Sequence, residues 1–239
     1  MQLVEQPKKA NPFARNHLIR DAIGQAIYDA MKRDPSIYLF GEGCEVKQHY
    51  DAPYILADFP DRIVTMPICE DGSVNFAVGA SLLGVTPVVD CITADFLYRC
   101  FDSIANTAAK ANFVRPDQPI TMVIRAEFLT GGPTTGQRNE ALFTHIPGLN
   151  VVLPSTPRDA HGLMLTALRI PGVTIFYEDR EIEDGGCFLE EDLKIGAISP
   201  LGVGKWRDMG PRGSVAVVTY GVMRQRVEEA VHEAWNPAH

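Results

Sequence analysis

The chain has 239 residues, room for one large domain or a domain and part of a second, and enough to bury a core without disulfides or metal. Its 46% hydrophobic and 22% charged residues exclude intrinsic disorder over most of the length. A net charge of −8, from 22 basic and 30 acidic residues, argues against nucleic acid and anionic membrane as partners, because both need clustered Lys and Arg.

Residues 17–33 place Leu18, Ile19, Ala22, Ile23, Ala26, Ile27, Ala30 and Met31 at helical spacing, with Asn16 as the N-cap. Ser36–Phe40 reads as a short strand closed by Gly41, residues 41–60 as a loop with a short helix near 54–58, and Ile63–Thr65 as a strand. Residues 72–84 predict a helix in which Gly79, Ala80 and Ser81 allow close approach of another backbone. Thr86–Ile92 predicts a strand and residues 95–113 a helix. The near-continuous apolar run Ile120–Ala126 fits a parallel strand covered on both faces. A strand at Asn150–Leu153, a helix at 157–170 and a strand at Val173–Tyr177 follow. This alternation predicts an α/β fold, a doubly wound, mostly parallel sheet with helices on both faces.

Beyond Glu178 the chain turns rich in Gly, Pro and charge, so residues 181–213 read as an excursion and linker after a first domain at 1–180. Val215–Tyr220 and residues 222–235 then read as one strand and one helix, the incomplete start of a second domain at 214–239. The five cysteines, Cys44, Cys69, Cys91, Cys100 and Cys187, have no CxxC spacing, which fits a reducing compartment and no cysteine metal site. The opening residues carry neither an apolar signal core nor an Arg- and Ser-rich transit composition, and no run of about 18 apolar residues predicts a membrane span. The expected location is cytoplasmic, with the mitochondrial matrix left open.

GxGxxG, P-loop, HExxH and GxSxG motifs are absent from the sequence. Met66-Pro67-Ile68-Cys69-Glu70-Asp71-Gly72 joins a strand to the small-residue helix and puts Glu70 at the strand's carboxyl end, the edge at which open α/β sheets bind ligands. Position alone leaves two readings for Glu70, a functional acid or a helix-capping one suited to the helix dipole.

The order of segments resembles the beta subunits of thiamine-diphosphate-dependent 2-oxo acid dehydrogenases and, more distantly, the pyrimidine-binding domain of transketolases. The matching stretches include DAIGQAIYDAMKRDPSIYLFGE (21–42), RIVTMPICEDGSVNFAVGASLLGVTPVVD (62–90), TADFLYRCFDSIANTAAKANF (93–113) and FTHIPGLNVVLPSTPRDAHGLMLTALR (143–169). The resemblance implies that Glu70 hydrogen-bonds the aminopyrimidine ring of thiamine diphosphate and favours its imino form, the base that activates the thiazolium carbon. It implies that Phe96 stacks on the same ring and that Ile92 lies beside it, although either side chain equally suits core packing. Glu42 aligns with an acid near the cofactor's entrance, or is a turn residue after its strand.

The motif GDG…N, which in such enzymes holds the diphosphate and Mg²⁺, is missing. The resemblance therefore puts that half of the site on an alpha-type subunit, in an α2β2 assembly with beta–beta contacts, and expects no metal ligands on this chain. Where relatives carry a histidine in the loop after the VIRA strand, counting back from Pro147 gives Thr135, with Gln137 two residues on. A threonine hydroxyl is no base near neutral pH. His49 is the candidate to stand in for it, and also has the features of a solvated loop side chain; His145 and His161 read as structural. The function implied is decarboxylation of a pyruvate-like 2-oxo acid, or transfer of a two-carbon acyl or ketol unit. The alternatives are a silent structural or regulatory paralogue and a transketolase half acting on sugar phosphates.

Overall fold

The computed structural model describes residues 19–44, 53–129, 132, 134–183, 199–201 and 216–234. Helix α1 (Ile19–Arg33) buries Ile19, Ala22, Ile23, Ala26, Ile27, Ala30 and Met31, the stripe read from the sequence apart from Leu18, which lies outside the described residues. Full burial of each isoleucine stabilises the fold by about 1.5–3 kcal/mol relative to exposure. The chain continues through β1 (Ile37–Gly41), α2 (Pro53–Asp58), a 3₁₀ turn at Pro60–Arg62 and β2 (Ile63–Thr65). Then come α3 (Glu70–Leu82), β3 (Thr86–Thr93), a 3₁₀ turn (Ala94–Tyr98), a π-helical turn (Ser103–Ala108) and α4 (Ala111–Val114). Next are β4 (Thr121–Phe128), α5 (Glu140–Thr144), β5 (Leu149–Val152), α6 (Pro157–Ala167), β6 (Gly172–Asp179), α7 (Arg180–Glu183) and α8 (Val222–Ala234).

The six strands form one sheet in the order β2-β1-β3-β4-β6-β5, every pair parallel. Leu39 pairs with Ile63 and Val88, Val88 with Val123, and Val123 with Thr174. Strands β3, β4 and β6 are buried along almost their whole length because both faces are covered. One core, around Ile23, Ile27, Leu39, Val88, Val123, Met164 and Phe176, lies between the sheet and α1 and α6. The other, around Phe40, Val74, Val89, Leu97, Ile124 and Tyr177, lies under α3 and the segment after β3. Thr156 caps α6 by accepting the Asp159 N–H at 3.1 Å, and Pro157 opens its first turn.

Three local readings are corrected. The helix expected at 72–84 starts at Glu70, so this acid belongs to the first helical turn rather than to the strand end. The single helix expected over 95–113 is broken into a 3₁₀ turn, a π turn and a short α-helix. Side-chain hydrogen bonds account for the break: Asp95 accepts the Gly136 N–H at 2.9 Å, and Ser103 donates to Asp71 on α3 and accepts from Asn75 at 2.6 Å. Residues 216–220 form no strand, having no neighbouring strand to pair with among the described residues, whereas the expected helix after them is α8. Asn16, His49, Val215 and nearly all of the 181–213 excursion lie outside the described residues.

Candidate functional site

The chain runs outward from β1 to β2 and then returns to lay β3 on β1's other side, so the strand order reverses between β1 and β3. The carboxyl ends of strands at such a reversal form the ligand crevice of open α/β sheets. Gly41 ends β1 against β3 so closely that a Cβ there would lie 2.9 Å from the Asp90 carbonyl oxygen and 3.0 Å from its Cβ. This glycine brings Glu42 beside β3. Past β2, the Met66 N–H donates to the Gly41 carbonyl at 2.8 Å and leads the 66–70 segment over the same edge.

Glu70, 9% exposed, then opens α3. Ser73 secures the turn by donating its hydroxyl and its N–H to the Cys69 carbonyl, at 3.0 and 2.9 Å. The backbone amide of Cys69 lies beside the Glu42 carboxyl and favours its charged form. Burial, followed by the negative charges of Glu70 and Asp90, pushes the Glu42 carboxyl above the ordinary glutamate range, against that amide. Glu42 Oε1 is buried and has no hydrogen-bond partner within the structure. Two acids are thus held as neighbours, one of them with an oxygen free to bond. Ile68, two residues before Glu70, is 85% exposed at the same edge.

Across the reversal, β3 carries a bulge: Asp90 pairs with Arg125 and Thr93 with Glu127, so Cys91 and Ile92 together face Ala126. Ile92 takes φ +63°, the one non-glycine positive φ among the described residues. A β-branched residue in that region costs on the order of 1–3 kcal/mol and persists where its surroundings impose it. Asp90 imposes it directly, its Oδ1 accepting the Ile92 N–H at 2.7 Å. The Ile92 side chain is left half-buried at the crevice.

Phe96, also half-buried, follows in the 3₁₀ turn. That turn anchors the loop holding Thr135 and Gln137. Asp95 accepts the N–H groups of Gly136 and Gln137 at 2.9 and 3.4 Å, and buried Asn139 donates to the Ala94 carbonyl at 2.7 Å while accepting the Tyr177 hydroxyl at 2.9 Å. Thr135 is half-buried and Gln137 exposed. The structure therefore brings Glu42 and Glu70 together, sets Ile92 and Phe96 on one bulge and turn, and ties the Thr135 loop to that turn. His145 is exposed after α5, and His161 is buried in α6.

A group that sequence reasoning missed lies on the α1 side of the same strand ends. Arg20, Asp90, Ile92, Arg125, Glu127 and Glu178 line a small polar cleft. Arg125 is 2% exposed, and its Nε donates to Glu178 at 2.6 Å while Nη1 stands 3.9 Å from Asp90 Oδ2. Arg20 and Arg180 both reach Glu127, at 3.0 and 3.1 Å. Burial pushes the Glu178 carboxyl up, and the Arg125 guanidinium opposes the shift. The available signal was a charge placed inside an otherwise apolar strand, as in PVVDCIT, TMVIRAEF and VTIFYED. No cluster of three or more His, Cys, Asp or Glu side chains that could hold a metal ion occurs among the described residues.

A parallel doubly wound sheet with paired acids and half-exposed apolar side chains at its strand-order reversal defines an α/β protein whose candidate small-molecule site is the sheet's carboxyl edge. A family model described as the transketolase pyrimidine-binding domain matches residues 17–182, and the chain belongs to that family, whose members depend on thiamine diphosphate. The acetoin:2,6-dichlorophenolindophenol oxidoreductase subunit beta of Cupriavidus necator is 34% identical, over 91% of this chain and 68% of its own length. The pyruvate dehydrogenase E1 component subunit beta of Rickettsia felis is 31% identical with the same coverage. The mitochondrial 2-oxoisovalerate dehydrogenase subunit beta 2 of Arabidopsis thaliana is 34% identical over 66% of this chain, which spans 46% of that relative. Among solved structures, a split-gene transketolase described as an inactive beta4 tetramer shares the fold with a TM-score of 0.56 at 23% identity, over 68% of this chain and 51% of its own.

The residues present fit the pyrimidine half of the family's cofactor. An aminopyrimidine needs acid groups at its polar edge and apolar groups against its faces; Glu70 with the unpartnered Glu42 oxygen, and Ile92 with Phe96, are of those types.

Proposed function

We propose that this chain is the beta-type half of a two-chain thiamine-diphosphate enzyme, and that its complex decarboxylates a 2-oxo acid or transfers the two-carbon unit derived from one. The observation that carries the proposal is the Glu42–Glu70 pair at the strand-order reversal, where β3 also bulges at Ile92. Thiamine diphosphate, when bound, supplies the carbon nucleophile and electron sink for cleavage next to a carbonyl. Glu70 holds and donates the proton at the aminopyrimidine ring nitrogen. Glu42, kept protonated more readily than an ordinary glutamate, limits the negative charge around Glu70. Ile92 and Phe96 contact the ring and exclude water from it. An alpha-type subunit carries the diphosphate and Mg²⁺ ligands in an α2β2 assembly. Residues 1–180 form the pyrimidine-binding domain and 214–239 the start of a second.

The test is thiamine-diphosphate- and Mg²⁺-dependent release of carbon dioxide from a panel of 2-oxo acids, by this chain purified with its native partner. Glu70→Ala is expected to reduce release at least about a hundredfold, the lower range for a group that moves a proton in the transition state. Release unaffected by the substitution would remove Glu70 from the mechanism. Thr135 favours a second reading for the acceptor step: a hydroxyl offers no base near neutral pH, so the unit passes to an acceptor other than a lipoyl arm. A full turnover assay with lipoylated acceptor protein running as fast as carbon dioxide release would overturn that reading.

A further inference from the structure

We propose that Asp90 is a positioning residue for the cofactor site: through its hydrogen bond to the Ile92 amide it holds Ile92 in the left-handed conformation, with Arg125 and Glu178 lying behind it. The inference rests on the reading that Ile92 contacts the aminopyrimidine. Three contacts run in series. Glu178 Oε1 accepts from Arg125 Nε at 2.6 Å, Arg125 Nη1 faces Asp90 Oδ2 at 3.9 Å, and Asp90 Oδ1 accepts the Ile92 N–H at 2.7 Å.

Each link is rigid for a different reason. Glu178 and Arg125 are buried in β6 and β4, at the centre of the sheet, so their backbones are fixed by the parallel ladder. Asp90 is buried and pairs with Arg125 in the register of β3 and β4. Its other side is closed by Gly41, where any side chain would collide with Asp90. The carboxylate therefore has one oxygen toward the guanidinium and the other toward the Ile92 amide. Isoleucine does not choose φ +63° unaided. Without the acceptor two residues earlier, the bulge relaxes toward an extended backbone and the Ile92 side chain leaves its direction. Asp90 acts through Ile92 and touches no reacting atom.

The test is affinity for thiamine diphosphate with Mg²⁺, measured by calorimetric titration of the purified two-chain complex. Asp90→Asn keeps an oxygen acceptor at the same reach, and the account expects affinity within about threefold of the parent. Asp90→Glu keeps the charge but moves it one methylene away, and the account expects about tenfold or greater weakening, the scale of one lost hydrogen bond. The reverse order, with Asp90→Glu tight and Asp90→Asn weak, would show that charge beside Arg125 matters and not the hold on Ile92. Asp90→Glu is also combined with Ile92→Gly, because glycine adopts positive φ without help. The Asp90→Glu effect is expected to vanish in the Ile92→Gly background; additive effects would make Asp90 merely structural and overturn the proposal. A parent complex that does not bind thiamine diphosphate overturns the cofactor reading itself. Parent binding with Asp90→Glu unchanged overturns only this inference.

Discussion

Glu42 shows how a single site residue trades stability for chemistry. Its carboxyl is raised above 4.5 in the folded chain by burial and by Glu70, so the folded state resists losing that proton. The stability this gives is fully present below the unfolded value and is lost as pH rises through the folded one. Glu42→Gln should therefore match the parent in acid and become more stable than it from about pH 5 upward, where the parent must charge a half-buried group. Thermal unfolding across pH 4–8 checks this, and parallel curves for the two proteins would contradict it. Ile92 makes the same point through its backbone. Ile92→Gly relieves the positive φ but loses a half-buried side chain and gains unfolded-state freedom, so its stability should stay within about 1 kcal/mol of the parent. Urea unfolding would show whether it does. The sequence resemblance picked out Ile92 as an apolar position, but its conformation was illegible, because isoleucine is among the residues least suited to it. Asp90, which imposes that conformation, looked like an interruption in an apolar run.

At the scale of elements, the strands were legible because a parallel sheet covered on both faces demands continuous apolar runs, and Ile120–Ala126 is such a run. The segment after β3 was not. Its apolar spacing suits one long helix, but Asp95 binds the 134–139 loop and Ser103 binds α3, and those tertiary contacts break the helical ladder. Helix α5 was missed because five residues are too few for periodicity to register. The charged cluster at the ends of β3, β4 and β6 is a feature of element packing with a measurable cost. Arg125→Ala leaves Glu178 buried without its partner, and a loss of about 3–5 kcal/mol is expected in urea unfolding. Adding Glu178→Gln should return part of that loss, since the stranded charge is then gone. A loss below about 1 kcal/mol for Arg125→Ala would mean that the cleft is far more hydrated than its burial implies.

For the whole molecule, the sheet order sets where the candidate site lies. The reversal between β1 and β3 gathers acids and apolar groups at one edge. Near that edge, Ile68 and, on α3, Phe76 stay exposed, leaving apolar surface on Glu70's side of the sheet. The resemblance made the candidate cofactor-facing residues readable from residues 62–113, whereas no motif in the sequence specifies a substrate or an acceptor. The central claim is that Glu70 serves a cofactor shared between two chains. It is tested most directly by carbon dioxide release from 2-oxo acids, comparing the two-chain complex, this chain alone and the complex carrying Glu70→Ala. The account predicts release from the intact complex alone, dependent on thiamine diphosphate and Mg²⁺. Release from this chain by itself, or undiminished release with Glu70→Ala, would contradict it.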